Sequence, residues 1–89
     1  MFEFRWERWN VDHIGEHGIS PEQAEYLINR AGRGFPRYIG DGKFLVQGQD
    51  QNGMWMQAIF TMSPADMAFV IHARPLTDPD KHCLRRKRK

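Results

Sequence analysis

The sequence predicts an α+β domain: two N-terminal helices packed on an antiparallel β-sheet meander, closed by a short C-terminal helix. Three observations predict it. Ser20-Pro21-Glu22-Gln23 is a helix-start signal followed by apolar residues at helical spacing. Asn52-Gly53 separates two β-prone runs and marks a hairpin. Thr77-Asp78-Pro79-Asp80 then opens a last helix directly after a third apolar strand. Helices before and after a run of strands are the pattern of segregated α+β folds.

Taken in order, Phe2 to Trp6 alternates apolar and charged side chains and predicts a short strand. Trp9 to His17 predicts a short helix stopped by Gly18, which can take the left-handed conformation that closes a helix. Trp9, His13 and Ile14 share one face of it, with His17 one turn on. Residues 21–31 predict an amphipathic helix. Ser20 is its N-cap and Pro21 its first position, and Glu22 and Glu25 suit the positive end of its dipole. Ala24, Leu27, Ile28 and Ala31 form its apolar stripe, and Gly32 ends it. A loop follows to Pro36. Arg37 to Gly40 is a short strand and Asp41-Gly42 a tight turn. Lys43 to Gln49 and Met54 to Met62 are strands. A two-residue turn at Asn52-Gly53 makes Gln51 and Met54 the first pair, so that Leu45 faces Phe60 and Val46 faces Ile59. Ser63 to Asp66 turns the chain into a third long strand, Met67 to Arg74, and Thr77 or Asp78 caps the final helix.

Composition sets the bounds. The 89 residues make one domain, with a basic tail over about 84–89, and 40% hydrophobic residues suffice for one small core. Net charge is only +2, but its distribution is uneven. Lys81, Arg85, Arg86, Lys87, Arg88 and Lys89 fall in the last nine positions, while the preceding eighty residues balance to −4. An acidic body with a cationic end points to nucleic acid, an anionic membrane or an acidic protein; a solvated tail that aids solubility is the plain alternative. A single Cys83 excludes an intrachain disulfide and a Cys-based zinc site, which suits a reducing cytoplasm. No apolar run reaches the roughly 18 residues of a membrane span, and the N-terminus lacks a signal-peptide pattern.

The residues best suited to chemistry end the third long strand. Strand alternation puts Phe69, Ile71 and Ala73 on one face, beneath the helices, and Val70, His72 and Arg74 on the other. An imidazole titrates near neutrality and can move protons. A guanidinium grips phosphate in a fork and stabilises its developing charge. RNA cleavage by the 2′-hydroxyl needs those two services and no metal. The alternative is structural: Arg74 pairs with a helix acid such as Asp78 or Asp80, and His72 is partly exposed. His13 and His17 have a chelating spacing, with His72, His82 or Cys83 as the third ligand. Packing or capping is the commoner use of such histidines, and no metal or cofactor is expected. Trp6 and Trp9 suit core or interface positions. Trp55, just after the hairpin turn, suits an exposed stacking position.

The pattern Trp6…His17-Gly18-Ile19-Ser20…Glu22…Ala24, then Gly48 before an Asn-Gly hairpin, then Ile71-His72-Ala73-Arg74…Thr77…Lys81…Leu84-Arg85-Arg86 resembles the BrnT family of toxins. The resemblance runs from about Phe2 to Arg86 and rests on order and spacing more than on any one motif. It implies a RelE-like fold, metal-independent endoribonuclease activity that blocks translation, and neutralisation by a cognate antitoxin within a type II toxin–antitoxin system. The chain departs from the family at Gln49, where Arg is frequent, and at His13, His72 and Asp80, where Asn, Thr and Glu are usual. On this reading His72 is the general acid or base and Arg74 the phosphate stabiliser. Lys81, Arg85 and Arg86 grip the RNA backbone, with Arg37 as a further contact. A non-catalytic RNA- or protein-binding module on the same scaffold is the alternative.

Overall fold

A computed structural model describes residues 2–87, with side chains through Leu84. Helix α1 (Arg8–Gly15) starts where Glu7 N donates to Asn10 Oδ1 at 2.7 Å. Asn10 is fully buried, and its amide donates to Arg5 O at 3.2 Å, so one side chain ties down both the helix start and the chain before it. Helix α2 (Pro21–Asn29) opens with a reciprocal cap: Gln23 N donates to Ser20 Oγ and Ser20 N to Gln23 Oε1. Two otherwise orphaned donors are thereby satisfied, as the Ser20-to-Gln23 spacing predicts.

Four strands follow: β1 (Arg37–Gly40), β2 (Lys43–Gln49), β3 (Trp55–Met62) and β4 (Ala68–Pro75), before helix α3 (Asp78–Lys87). They form one antiparallel sheet in the order β1-β2-β3-β4, the expected meander. The fold is α+β. Helix α2 packs over β2 and β3, and α1 lies against β4. Asp41 and Gly42 both have positive φ, the geometry the β1–β2 turn demands. Thr77 caps α3: its hydroxyl accepts from Asp80 N at 3.2 Å, and Asp80 Oδ2 accepts from Thr77 N at 3.0 Å.

The core lies between the helices and one sheet face. Ile14 from α1, Leu27 and Ile28 from α2, and Val46, Phe60 and Val70 from the sheet are all at most 2% exposed. α2 approaches so closely that a Cβ on Gly48 would stand 3.2 Å from Leu27 Cδ1.

Three expectations need correction. The strand over Phe2 to Trp6 shrinks to one parallel bridge, Phe4 with Ala68, because the chain leaves the edge of β4 to enter the cap of α1. The β2–β3 hairpin is not a two-residue turn. Asp50 N donates to Met54 O at 2.9 Å, and the Asp50 carboxylate accepts from both Asn52 N and Met54 N. Asp50 thereby closes a three-residue loop in which only Gly53 has positive φ. The register moves by one: Phe44 faces Phe60, Leu45 faces Ile59 and Val46 faces Ala58.

The third correction concerns β4. Ile59 pairs with His72 and Phe60 with Val70, so Ile71 is the extra residue of a bulge. The core face is therefore Ala68, Val70 and Ala73, all fully buried. Phe69 and Ile71 are half-buried and lie on the other face, not beneath α2. His72 and Arg74 keep the open face that alternation assigned them, now without Val70.

Candidate nucleic-acid interface

The bulge sets the site. The extra residue at Ile71 brings Phe69 onto the face that His72 occupies, where the two meet Trp9, His13 and His17 from α1 and the turn after it. The His72 ring lies 5.8 Å from that of His17 and 6.5 Å from that of His13. Trp9, one helical turn before His13, stacks on the His13 ring at 5.5 Å and on Phe69 of β4 at 5.9 Å. Trp9 is 55% exposed, so this stack is a wet aromatic surface beside the imidazoles rather than core. Trp6 is half-buried and its indole N–H donates to Glu25.

Partial burial, reinforced by the imidazole of His17, the guanidinium of Arg74 and the imidazole of His13, pushes the His72 pKa below its usual value. His72 is thus held neutral at pH 7, the form that accepts a proton. His13 Nδ1 also stands 3.3 Å from Glu16 Oε2.

Arg74, two residues on, is anchored. Its Nη1 donates to Asp80 Oδ2 at 2.9 Å and to Pro75 O at 3.0 Å. The ion pair that the sequence allowed is formed, and α3 is tied to the strand end by it. Hydrogen bonds from Thr77 and Arg74 pull the Asp80 carboxyl down to about 2. Among the described residues, the Nε and Nη2 edge of Arg74 has no partner, so a guanidinium held by one corner keeps a fork for a phosphate.

The other expected residues are distributed unevenly. Lys81 follows Asp80 in α3, with its ammonium 3.8 Å from Asp78 Oδ1. Arg37 does not join the cluster. It shares a row with Leu45, Ile59 and His72, which puts three strand spacings, about 14 Å, between Arg37 and His72. The side chains of Arg85 and Arg86, and all of Arg88 and Lys89, lie outside the described residues. His13 and His17 belong to the site although the roles assigned from sequence omitted them. Their four-residue spacing was the available signal; their meeting with His72 depends on how α1, with the turn that follows it, docks on β4. No group of three or more His, Cys, Asp or Glu among the described residues is arranged to hold a metal ion.

A second concavity of about 430 Å³ lies at the other side of the sheet. It is bounded by the end of α2, the loop after it, the strand ends beside the hairpin and Leu84 of α3, with Arg30, Arg33 and Trp55 among its walls. No helix among the described residues is long and apolar enough to cross a membrane. Comparisons with protein-family models, curated proteins and solved structures found no match.

Proposed function

We propose that the protein is an endoribonuclease toxin of the BrnT type, acting on RNA in the cytoplasm and neutralised by a cognate antitoxin. The observation that carries the reading is the convergence of His72 with His13 and His17, beside the open edge of the Arg74 guanidinium. In this reaction His72, neutral at pH 7, takes the proton of an RNA 2′-hydroxyl. The freed oxygen attacks the adjacent phosphorus. Arg74 holds the non-bridging oxygens as negative charge builds on them, and the departing 5′-oxygen takes a proton from solvent. The products are a 2′,3′-cyclic phosphate and a 5′-hydroxyl, and no redox partner is needed. The Trp9–Phe69 stack offers a platform for a flanking base.

The test is expression of the wild type and of His72→Ala and Arg74→Ala in a bacterial host without antitoxin, with RNA cleavage assayed on the purified proteins. General acid–base help is worth roughly 10²–10⁴ in rate and charge stabilisation about 10²–10³. Each variant is therefore expected to lose growth arrest and cleavage while keeping its fold, because both side chains lie on the face away from the core. A wild type that neither slows growth nor cuts RNA overturns the enzyme reading and leaves a binding module, a role that the Arg74–Asp80 tie would equally serve.

A further inference from the structure

The concavity at the end of α2 borders a stretch of strand edge. Strand β1 is short, and its pairing with β2 stops at Arg37 opposite Leu45. From Val46 to Gln49, β2 is therefore an open edge among the described residues. The hairpin fixes which groups face outward. Asp50 bonds Met54 across the β2–β3 ladder, so alternate residues back along β2 bond toward β3, and those between them point away. Gln47 and Gln49 are the residues between. Each directs one backbone N–H and one C=O out of the sheet, and both line the concavity. An unpaired strand edge is a template for whatever offers a matching donor and acceptor.

What surrounds that edge selects the match. Tyr26, Phe35 and Trp55 bring three rings to the walls, and Arg30 and Arg33 bring two exposed cations. The Arg30 guanidinium lies 4.9 Å from the Tyr26 ring, which holds it flat against the wall. Among the described residues the one acid in the lining, Asp50, is buried and already engaged by Gln23 Nε2, Asn52 N and Met54 N, so Arg30 and Arg33 set the sign of the described lining. Flat rings, a donor–acceptor edge and a cationic rim are together the complement of a nucleotide: a base to stack, a hydrogen-bonding edge to read, and a phosphate to grip. The volume of about 430 Å³ suits one base with its sugar.

We propose that this cleft binds a single nucleobase of unpaired RNA. The base stacks among Tyr26, Phe35 and Trp55, hydrogen-bonds to the main chain of Gln47 or Gln49, and places its phosphate on Arg30 and Arg33. The inference rests on the RNA reading above for the identity of the polymer, and it adds where a neighbouring base is held. The sheet connects the two sites. Gln47 pairs with Gln57 and Gln57 with Arg74, and the Gln47 amide donates to Gln57 Oε1 at 3.2 Å. Two strand spacings, about 10 Å, therefore separate the backbone of Gln47 from that of Arg74. A base in the cleft belongs to a nucleotide close to the phosphate held by Arg74. An extended acidic peptide added to the β2 edge is the rival occupant. The rings argue against it, as does an edge only four residues long.

The test is titration of the ¹⁵N-labelled full-length protein with AMP and with UMP, followed by amide and indole NMR shifts, beside cleavage assays of single-stranded RNA. Saturable shifts are expected at Gln47, Gln49 and the Trp55 indole. The double substitution Arg30→Ala/Arg33→Ala, on exposed side chains that carry no core contact, should weaken binding about tenfold, the loss of one or two charge-assisted hydrogen bonds. His72→Ala should bind like the wild type, so loss of cleavage and loss of the cleft are separately visible. If RNA is cut but neither nucleotide moves these signals, the cleft inference falls and the nuclease reading stands. If a nucleotide binds here and no RNA is cut, the cleft stands without the nuclease. If an alternating Glu-Val hexapeptide shifts the edge amides and the nucleotides do not, the cleft is a strand-docking edge and the proposal is overturned.

Discussion

At His72, position, charge and protonation are set by the same neighbours. Partial burial, His17, Arg74 and His13 all disfavour the imidazolium, so the folded protein holds the proton less tightly than the unfolded chain does. Below the ordinary imidazole value of 6.5 the unfolded state therefore takes up more protons than the folded one. Stability is highest above that pH and declines as the solution is acidified toward the depressed folded value. Urea titrations at about pH 7.5 and about pH 5.5 should show the midpoint falling on acidification, and falling less in His72→Gln, where the group no longer titrates. Equal falls in both proteins would mean that His72 is not the group strained by its neighbours. The sequence placed His72 and Arg74 side by side correctly, because strand alternation depends only on local geometry. It reversed Phe69 and Val70, because a bulge at Ile71 is a pairing event with β3 that no alternating pattern records.

Among the elements, the β2–β3 hairpin shows how one side chain overrides a turn signal. Asn52-Gly53 announced a turn, and a turn is there. The Asp50 carboxylate nevertheless chose its length by accepting both Asn52 N and Met54 N at 2.8 Å. That side chain also takes a hydrogen bond from Gln23 Nε2 at 2.8 Å, so it ties the hairpin to the capping residue of α2. Burial pushes the Asp50 carboxyl up, but the donors from Gln23, Met54, Asn52 and Gly53 outweigh it and hold its pKa below the ordinary value. Helix α2 was fully legible because its cap and stripe lie within one segment. The register was not, because the loop length is set by the Asp50 carboxylate taking Asn52 N and Met54 N, a side-chain contact that the Asn-Gly turn signal does not record. Asp50→Ala leaves the half-buried Gln23 amide and two backbone N–H groups without their acceptor, a loss of about 1–3 kcal/mol. Chemical denaturation measures it. A change under about 0.5 kcal/mol, the range of ordinary surface substitutions, would show that the loop geometry stands without the carboxylate.

For the molecule as a whole, the governing fact is charge separation. The first eighty residues balance to −4, and Lys81 with the five residues from Arg85 to Lys89 supplies the compensating excess. An acidic body repels RNA at long range, so on the proposed function association would depend on local cations: Arg74 beside His72, Lys81 in α3, Arg30 and Arg33 in the cleft, and the basic end. These contributions are separable because counterion release scales with the number of phosphates neutralised, at a slope of about 0.7 per phosphate for single strands. Leu84 is the last buried residue described, 4% exposed, so a chain ending there loses the last three residues of α3 but none of the buried side chains named above. Deleting Arg85 to Lys89 should therefore leave the denaturation midpoint nearly unchanged. It should also weaken binding to a labelled single-stranded RNA and flatten the slope of log affinity against log salt by as much as about 3–4. Fluorescence anisotropy across a salt series reads both effects together. An unchanged slope would assign RNA attraction to the arginines of the folded body and reduce the basic end to an aid to solubility. A slope that flattens with no loss of cleavage at low salt would separate capture from chemistry, leaving the reaction to His72 and Arg74.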